Sequence, residues 1–146
     1  MYKYILLTHI LAATVWTGGH LMLALRIIPA VLRTRSAAML LDFERRYETI
    51  GLPALAVQIV TGPWLASRLV PINLWLSVAN PYSRMVVLKL FCLALTAAFA
   101  LDARFRVLPR IRDENVHTML PHVIGVSILS VLFVVAGVGF RTGGWS

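Results

Sequence analysis

Four apolar segments decide what this chain can fold into. They read approximately Tyr4–Leu25, Leu52–Val70, Met85–Leu101 and Leu120–Phe140. Each falls within the roughly 17–25 residues that a helix needs to cross the hydrocarbon core of a bilayer. Lipid offers no water to bond a bare backbone, so segments of this kind must cross as helices whose N–H and C=O groups are satisfied internally. The expected fold is all-α: an integral membrane four-helix bundle in a single domain, residues 1–146. Composition agrees, with 59% hydrophobic and 14% charged residues and a mean hydropathy of +0.79. The first segment is read as a membrane helix and not a leader. It is longer than a signal-peptide core and lacks a small-x-small cleavage site.

A net charge of +8 invites a nucleic-acid reading, but the placement of the charge argues against it. Arg26, Arg33, Arg35, Arg45 and Arg46 flank the first connection, and Arg104, Arg106, Arg110 and Arg112 cluster at the third. The opposite side has Lys3, Arg68, Arg84 and Arg141, while Lys89 lies inside the third apolar segment. Nine against four is a positive-inside signal that puts the first and third loops in the cytoplasm and both termini outside. Tyr2, Tyr4, Trp75, Tyr82 and Trp145 then fall on the outer side, as an interfacial aromatic belt would. The single cysteine, Cys92, excludes an intramolecular disulfide and a thiolate cluster.

Between these segments the sequence predicts three local features. Pro29 is expected to mark the membrane exit of the first helix, because proline is poorly tolerated deep in a helix. Ser36–Thr49 carries an apolar stripe, Leu40, Phe43 and Tyr47. It is either an interfacial helix or an early part of the second helix before a bend at Gly51 and Pro53. Asp113 is the expected N-cap of the last helix.

The polar residues inside the apolar segments carry the functional argument. In Thr8–Leu25, THILAATVWTGGHLMLAL, His20 follows His9 by eleven residues. At about 100° and about 1.5 Å per residue, they share a helix face within roughly 20° and stand roughly 16 Å apart. Trp16 falls on the same stripe, and Gly18 and Gly19 remove bulk beside His20, allowing close approach of a helix or a flat cofactor. Ionisable groups at this depth are costly and by default face the bundle and mark a site. Counting from the basic boundaries places His20 and His122 at comparable depth on antiparallel helices, and His9 at the depth of Lys89. His117 reads as a solvated loop residue.

Two polar centres follow: His20 with His122, and His9 with Lys89 and Trp16 on its stripe. Facing imidazoles in an apolar shell suit bis-histidine ligation of haem b, giving a membrane cytochrome that carries electrons. The same imidazoles, His20, His122 and His9, suit copper. Lipid is one partner; a quinone or porphyrin at the second centre and a second copy of the chain are further expectations. No catalytic residue is assigned.

His9, Trp16 and Gly19 in HILAATVWTGG, with Lys89 in LKLF, resemble the pattern of small CopD-like copper-resistance membrane proteins. The spacing is also similar to that of the HemJ-type membrane protoporphyrinogen oxidases. The resemblance covers most of the chain, including WTGGH and the closing GFRTGG. It implies a multi-pass protein of a bacterial-type inner membrane in which His9 and Lys89 are functional positions. From one relative it implies haem or a porphyrin oxidase, and from the other copper resistance.

Overall fold

In the computed structural model, residues 1–77 and 80–142 are described; Trp145 and the glycines Gly143 and Gly144 of the closing motif lie outside them. Tyr2–Thr34, Ala37–Ser67, Pro81–Arg110 and Asp113–Thr142 are each long and apolar enough to cross a membrane. Among the described residues there is no strand. The first helix packs against the second and the fourth, and the fourth packs against the third. The second and third helices form no comparable seam of their own, so the bundle is open along that side.

All four helices differ from the apolar segments at the basic end of the bundle. The first does not end at Pro29 but runs on to Thr34. The reason is a π turn at Leu23–Ile27, in which the Ile28 N–H bonds back to the Leu23 carbonyl. That re-registered ladder puts Pro29 in the first turn of a new helical segment, Ile28–Thr34, where its missing N–H costs nothing. The third helix repeats the device. A π turn at Ala103–Val107 precedes Pro109, and the Leu108 N–H reaches the Ala103 carbonyl. Arg26-Ile27-Ile28-Pro29 and Arg106-Val107-Leu108-Pro109 share this pattern, and each continues a helix beyond its apolar segment.

Ser36–Thr49 belongs to the second helix. Ala37–Ser67 is unbroken through Gly51, Pro53 and Pro63, so the expected bend does not end it. Ser36 caps it, its hydroxyl accepting from the Met39 N–H at 3.2 Å. Asp113 caps the same helix from across the bundle, Oδ1 accepting from the Ala37 N–H at 2.8 Å. This corrects its assignment to the fourth helix. The fourth helix instead opens with a 3₁₀ turn, Asp113–Met119, where Asn115 Oδ1 takes the Arg112 N–H at 2.7 Å. The third helix starts at Asn80, which accepts from the Ser83 N–H, with Pro81 in the first turn.

The extended helix ends bury a core of their own. Val31 and Leu40 are fully enclosed, with Leu23, Ile111, Val116 and Met119 around them. Away from this end, exposed leucine, valine and isoleucine line the outside of the bundle, as lipid-facing surfaces require. The Leu40 cavity left by Leu40→Ala is expected to cost about 2–5 kcal/mol, and losing the Asp113 cap in Asp113→Ala about 1 kcal/mol. Thermal unfolding in detergent checks both, with the first variant melting well below the second.

Candidate functional site

A cavity of about 340 Å³ lies at the basic end of the bundle, with walls from all four helices. Trp16 and His20 come from the first helix, Tyr47 from the second, Thr96 and Phe99 from the third, and His122 from the fourth. The structure therefore brings His20 and His122 to one cavity. His9 and Lys89 stand elsewhere, and His117 is exposed in the 3₁₀ turn.

The Trp16 carbonyl fixes the His20 side of the cavity. His20 Nδ1 bonds that oxygen at 2.9 Å, and the Tyr47 hydroxyl donates to the same oxygen at 2.9 Å. A carbonyl only accepts, so Nδ1 carries the proton and His20 Nε2 presents a lone pair. The Trp16 and His20 rings lie 4.4 Å apart between centroids, and Tyr47 meets His20 edge-on at 5.4 Å. Ser127 ties the fourth helix to this turn by donating to the His20 carbonyl at 3.1 Å.

Gly19 is what lets Tyr47 in. A Cβ at Gly19 would lie 2.0 Å from the Tyr47 ring, while one at Gly18 meets nothing within 4 Å. The close approach expected of a flat cofactor at Gly18 and Gly19 is thus made at Gly19 by a tyrosine of the neighbouring helix.

His122 is held by a carboxylate. Its Nε2 sits 2.7 Å from Asp102 Oδ2, and Asp102 Oδ1 pairs with Arg106 at 3.0 Å. Because an ionised carboxylate only accepts, Nε2 carries the proton and Nδ1 has the lone pair. That Nδ1 is buried and has no partner within the protein. Phe99 meets the His122 ring edge-on at 5.7 Å. Glu44 and Glu48 also line the cavity, and Glu48 is ion-paired with Arg104 of the third helix.

This arrangement does not suit haem b. The unprotonated nitrogen of His122, Nδ1, is enclosed, and it neighbours the ring carbon that carries Cβ, so a macrocycle reaching it would run into the main chain. The bis-histidine cytochrome expected from the sequence is therefore not supported by the site, and neither is the electron-transfer role derived from it. Among the described residues no group of three or more His, Cys, Asp or Glu side chains is arranged to hold a metal ion.

The second polar centre lies between the first and second helices. His9 Nδ1 lies 2.7 Å from Thr61 Oγ1, whose own proton goes to the Val57 carbonyl at 2.6 Å. His9 therefore donates from Nδ1 and keeps a lone pair on Nε2. Gly62 leaves room beside the ring, a Cβ there lying 3.4 Å from His9 Cε1. Lys89 is within electrostatic reach of His9. Its ammonium rests 5.5 Å from the centre of the Phe140 ring and has no ion pair among the described residues. Trp16, expected on the His9 stripe, belongs to the other centre.

Sequence reasoning missed Tyr47, Asp102 and Thr96. Tyr47 was legible only as one apolar position in a stripe, and Thr96 is a lone hydroxyl in an apolar segment. Asp102 did carry a signal: a lone carboxylate closing an apolar segment has to find a partner.

The fold and the site together define a multi-pass, four-helix integral membrane protein with imidazoles held inside the bundle. A family model described as copper resistance protein D matches residues 41–141, and the chain belongs to that family. No curated protein and no solved structure matches.

Gly19→Ala is expected to force the Tyr47 ring aside and destabilise the protein by about 1–3 kcal/mol, an overpacking cost. Gly18→Ala should leave stability unchanged or slightly raised. Melting temperatures of the two variants in detergent check the contrast.

Proposed function

We propose that this protein handles copper ions within a bacterial-type inner membrane and contributes to copper tolerance. The observation that carries the reading is the family match across residues 41–141. The chemistry of the site supports it. His20 and His122 both line one cavity, and imidazole is a good copper ligand. Asp102 behind His122 is the carboxylate–imidazole arrangement that orients metal-binding histidines. Met119 also lines the cavity, and a thioether is a soft donor of the kind copper(I) favours. His9, roughly 16 Å further along the first helix, offers a third imidazole towards the other face.

Deleting the protein from its host is expected to change growth on copper. Detergent-purified protein loaded with copper(I) should retain the ion after gel filtration. His20→Ala and His122→Ala should each lower retention several-fold, with no Soret band in the parent spectrum. Background copper in all samples, with unchanged growth, would overturn the reading.

The proposed orientation has both termini on the outer face, following the nine basic residues that gather at the opposite end. Cysteines introduced one at a time check it with an impermeant thiol reagent on intact cells. Tyr2→Cys is expected to label and Arg35→Cys to stay unlabelled until the membrane is opened. The native Cys92 is buried and should give no background.

A further inference from the structure

The two ends of the bundle balance their charge differently. All 6 acidic side chains, Asp42, Glu44, Glu48, Asp102, Asp113 and Glu114, stand at the basic end. There Arg46, Arg104 and Arg106 each pair with one of them. The other end holds Lys3, Arg68, Arg84 and Arg141, all exposed, and none of the chain's acidic side chains. A carboxylate partner for these four cations would have to cross the length of the bundle. Their counter-charge comes from outside the protein.

Aromatic rings hold two of these cations in place. The Arg68 guanidinium lies 4.6 Å from the centre of the Trp64 ring. Tyr2 rests against Trp64, with 6.2 Å between ring centres. Arg141 Nη1 donates to the Tyr2 hydroxyl at 2.8 Å, its guanidinium 6.0 Å from the centre of that ring. Such contacts order an arginine without neutralising it, because a ring face carries no net charge. Neither guanidinium has an ion pair among the described residues. Each keeps most of its five N–H donors for another partner.

The surroundings describe the partner. A cleft of about 400 Å³ opens here where the first helix begins and the second ends, lined by Met1, Tyr2, Trp64, Arg68 and Leu69. Tryptophan and tyrosine at the ends of crossing helices sit at the level of lipid headgroups. Phosphate is the anion of that level, and the guanidinium fork matches its oxygens. A choline or ethanolamine ammonium would add positive charge where no carboxylate answers it. Trp64, the ring that could receive such a cation, already meets Arg68 and Tyr2. The chemistry therefore favours a headgroup with net negative charge.

We propose that this end of the bundle binds the phosphate of an anionic phospholipid. Arg68 pairs with the phosphate at the cleft, and Arg141, steadied by the Tyr2 hydroxyl, supplies a second positive charge. Inorganic phosphate shares the chemistry of the headgroup but lacks the acyl chains that hold a lipid at this level. The site stands apart from the copper reading, since it uses no histidine and lies at the opposite end of the bundle from the cavity.

The test uses full-length protein in dodecylmaltoside, titrated separately with phosphatidylglycerol and phosphatidylcholine, with the first bound lipid followed by native mass spectrometry. Phosphatidylglycerol is expected to bind at the lower concentration and to stay bound when inorganic phosphate is added. Arg68→Gln and Arg141→Gln should each weaken it about fivefold. Arg33→Gln removes the same charge from an exposed, unpaired arginine at the basic end and should leave it unchanged. Both cleft-end arginines are exposed, so their variants should melt with the parent. Equal affinity for the two lipids, displacement by inorganic phosphate, or a loss in Arg33→Gln as large as in Arg68→Gln would each overturn the proposal.

Discussion

A backbone surrounded by lipid must bond to itself, and every feature of this structure works within that requirement. Helices are the response, and they are kept intact even where proline removes a donor. At Pro29 and Pro109 the ladder shifts register through a π turn, so the proline falls where no donor is needed. The consequence is reach: the helices continue beyond their apolar segments and build a small protein core around Val31 and Leu40. That core braces the end of the bundle where the cavity lies.

Side chains obey the same requirement less completely. The Trp16 carbonyl serves two donors from two helices, His20 and Tyr47, and so sets the orientation of one imidazole while joining the first helix to the second. Asp102 does the equivalent for His122 on the opposite wall. Both histidines are thereby held in one tautomer with one free lone pair each. The indole of Trp16 and the hydroxyl of Thr96 are left over. Fixed imidazoles suit a metal ion, and membership in the copper resistance protein D family points to copper.

Much of this was readable in the residues. Four apolar segments announced four crossing helices, and the arginines announced which ends share a side. The His9–His20 spacing put both rings on one face, and the structure has both facing the second helix, against Thr61 and Tyr47. What misled was local. Pro29 resembles a stop signal because proline usually is one, and Asp113 resembles a cap for the helix it precedes. Each was reassigned by something distant or unusual, a widened turn in one case and the start of a different helix in the other. Gly18 and Gly19 look alike in sequence, yet one faces open space and the other a tyrosine ring, a difference set entirely by the neighbouring helix.

The sequence by itself determined the number of crossings and which residues would lie too deep to be solvated. Both follow from hydropathy and a fixed rise per residue, which are properties of single segments. Tertiary structure alone decided which nitrogen each histidine offers and which polar atoms go without a partner. It also decided on which side the bundle stays open. Those depend on a carbonyl, a carboxylate or an absent seam contributed by another helix, and no segment carries that information about its neighbours.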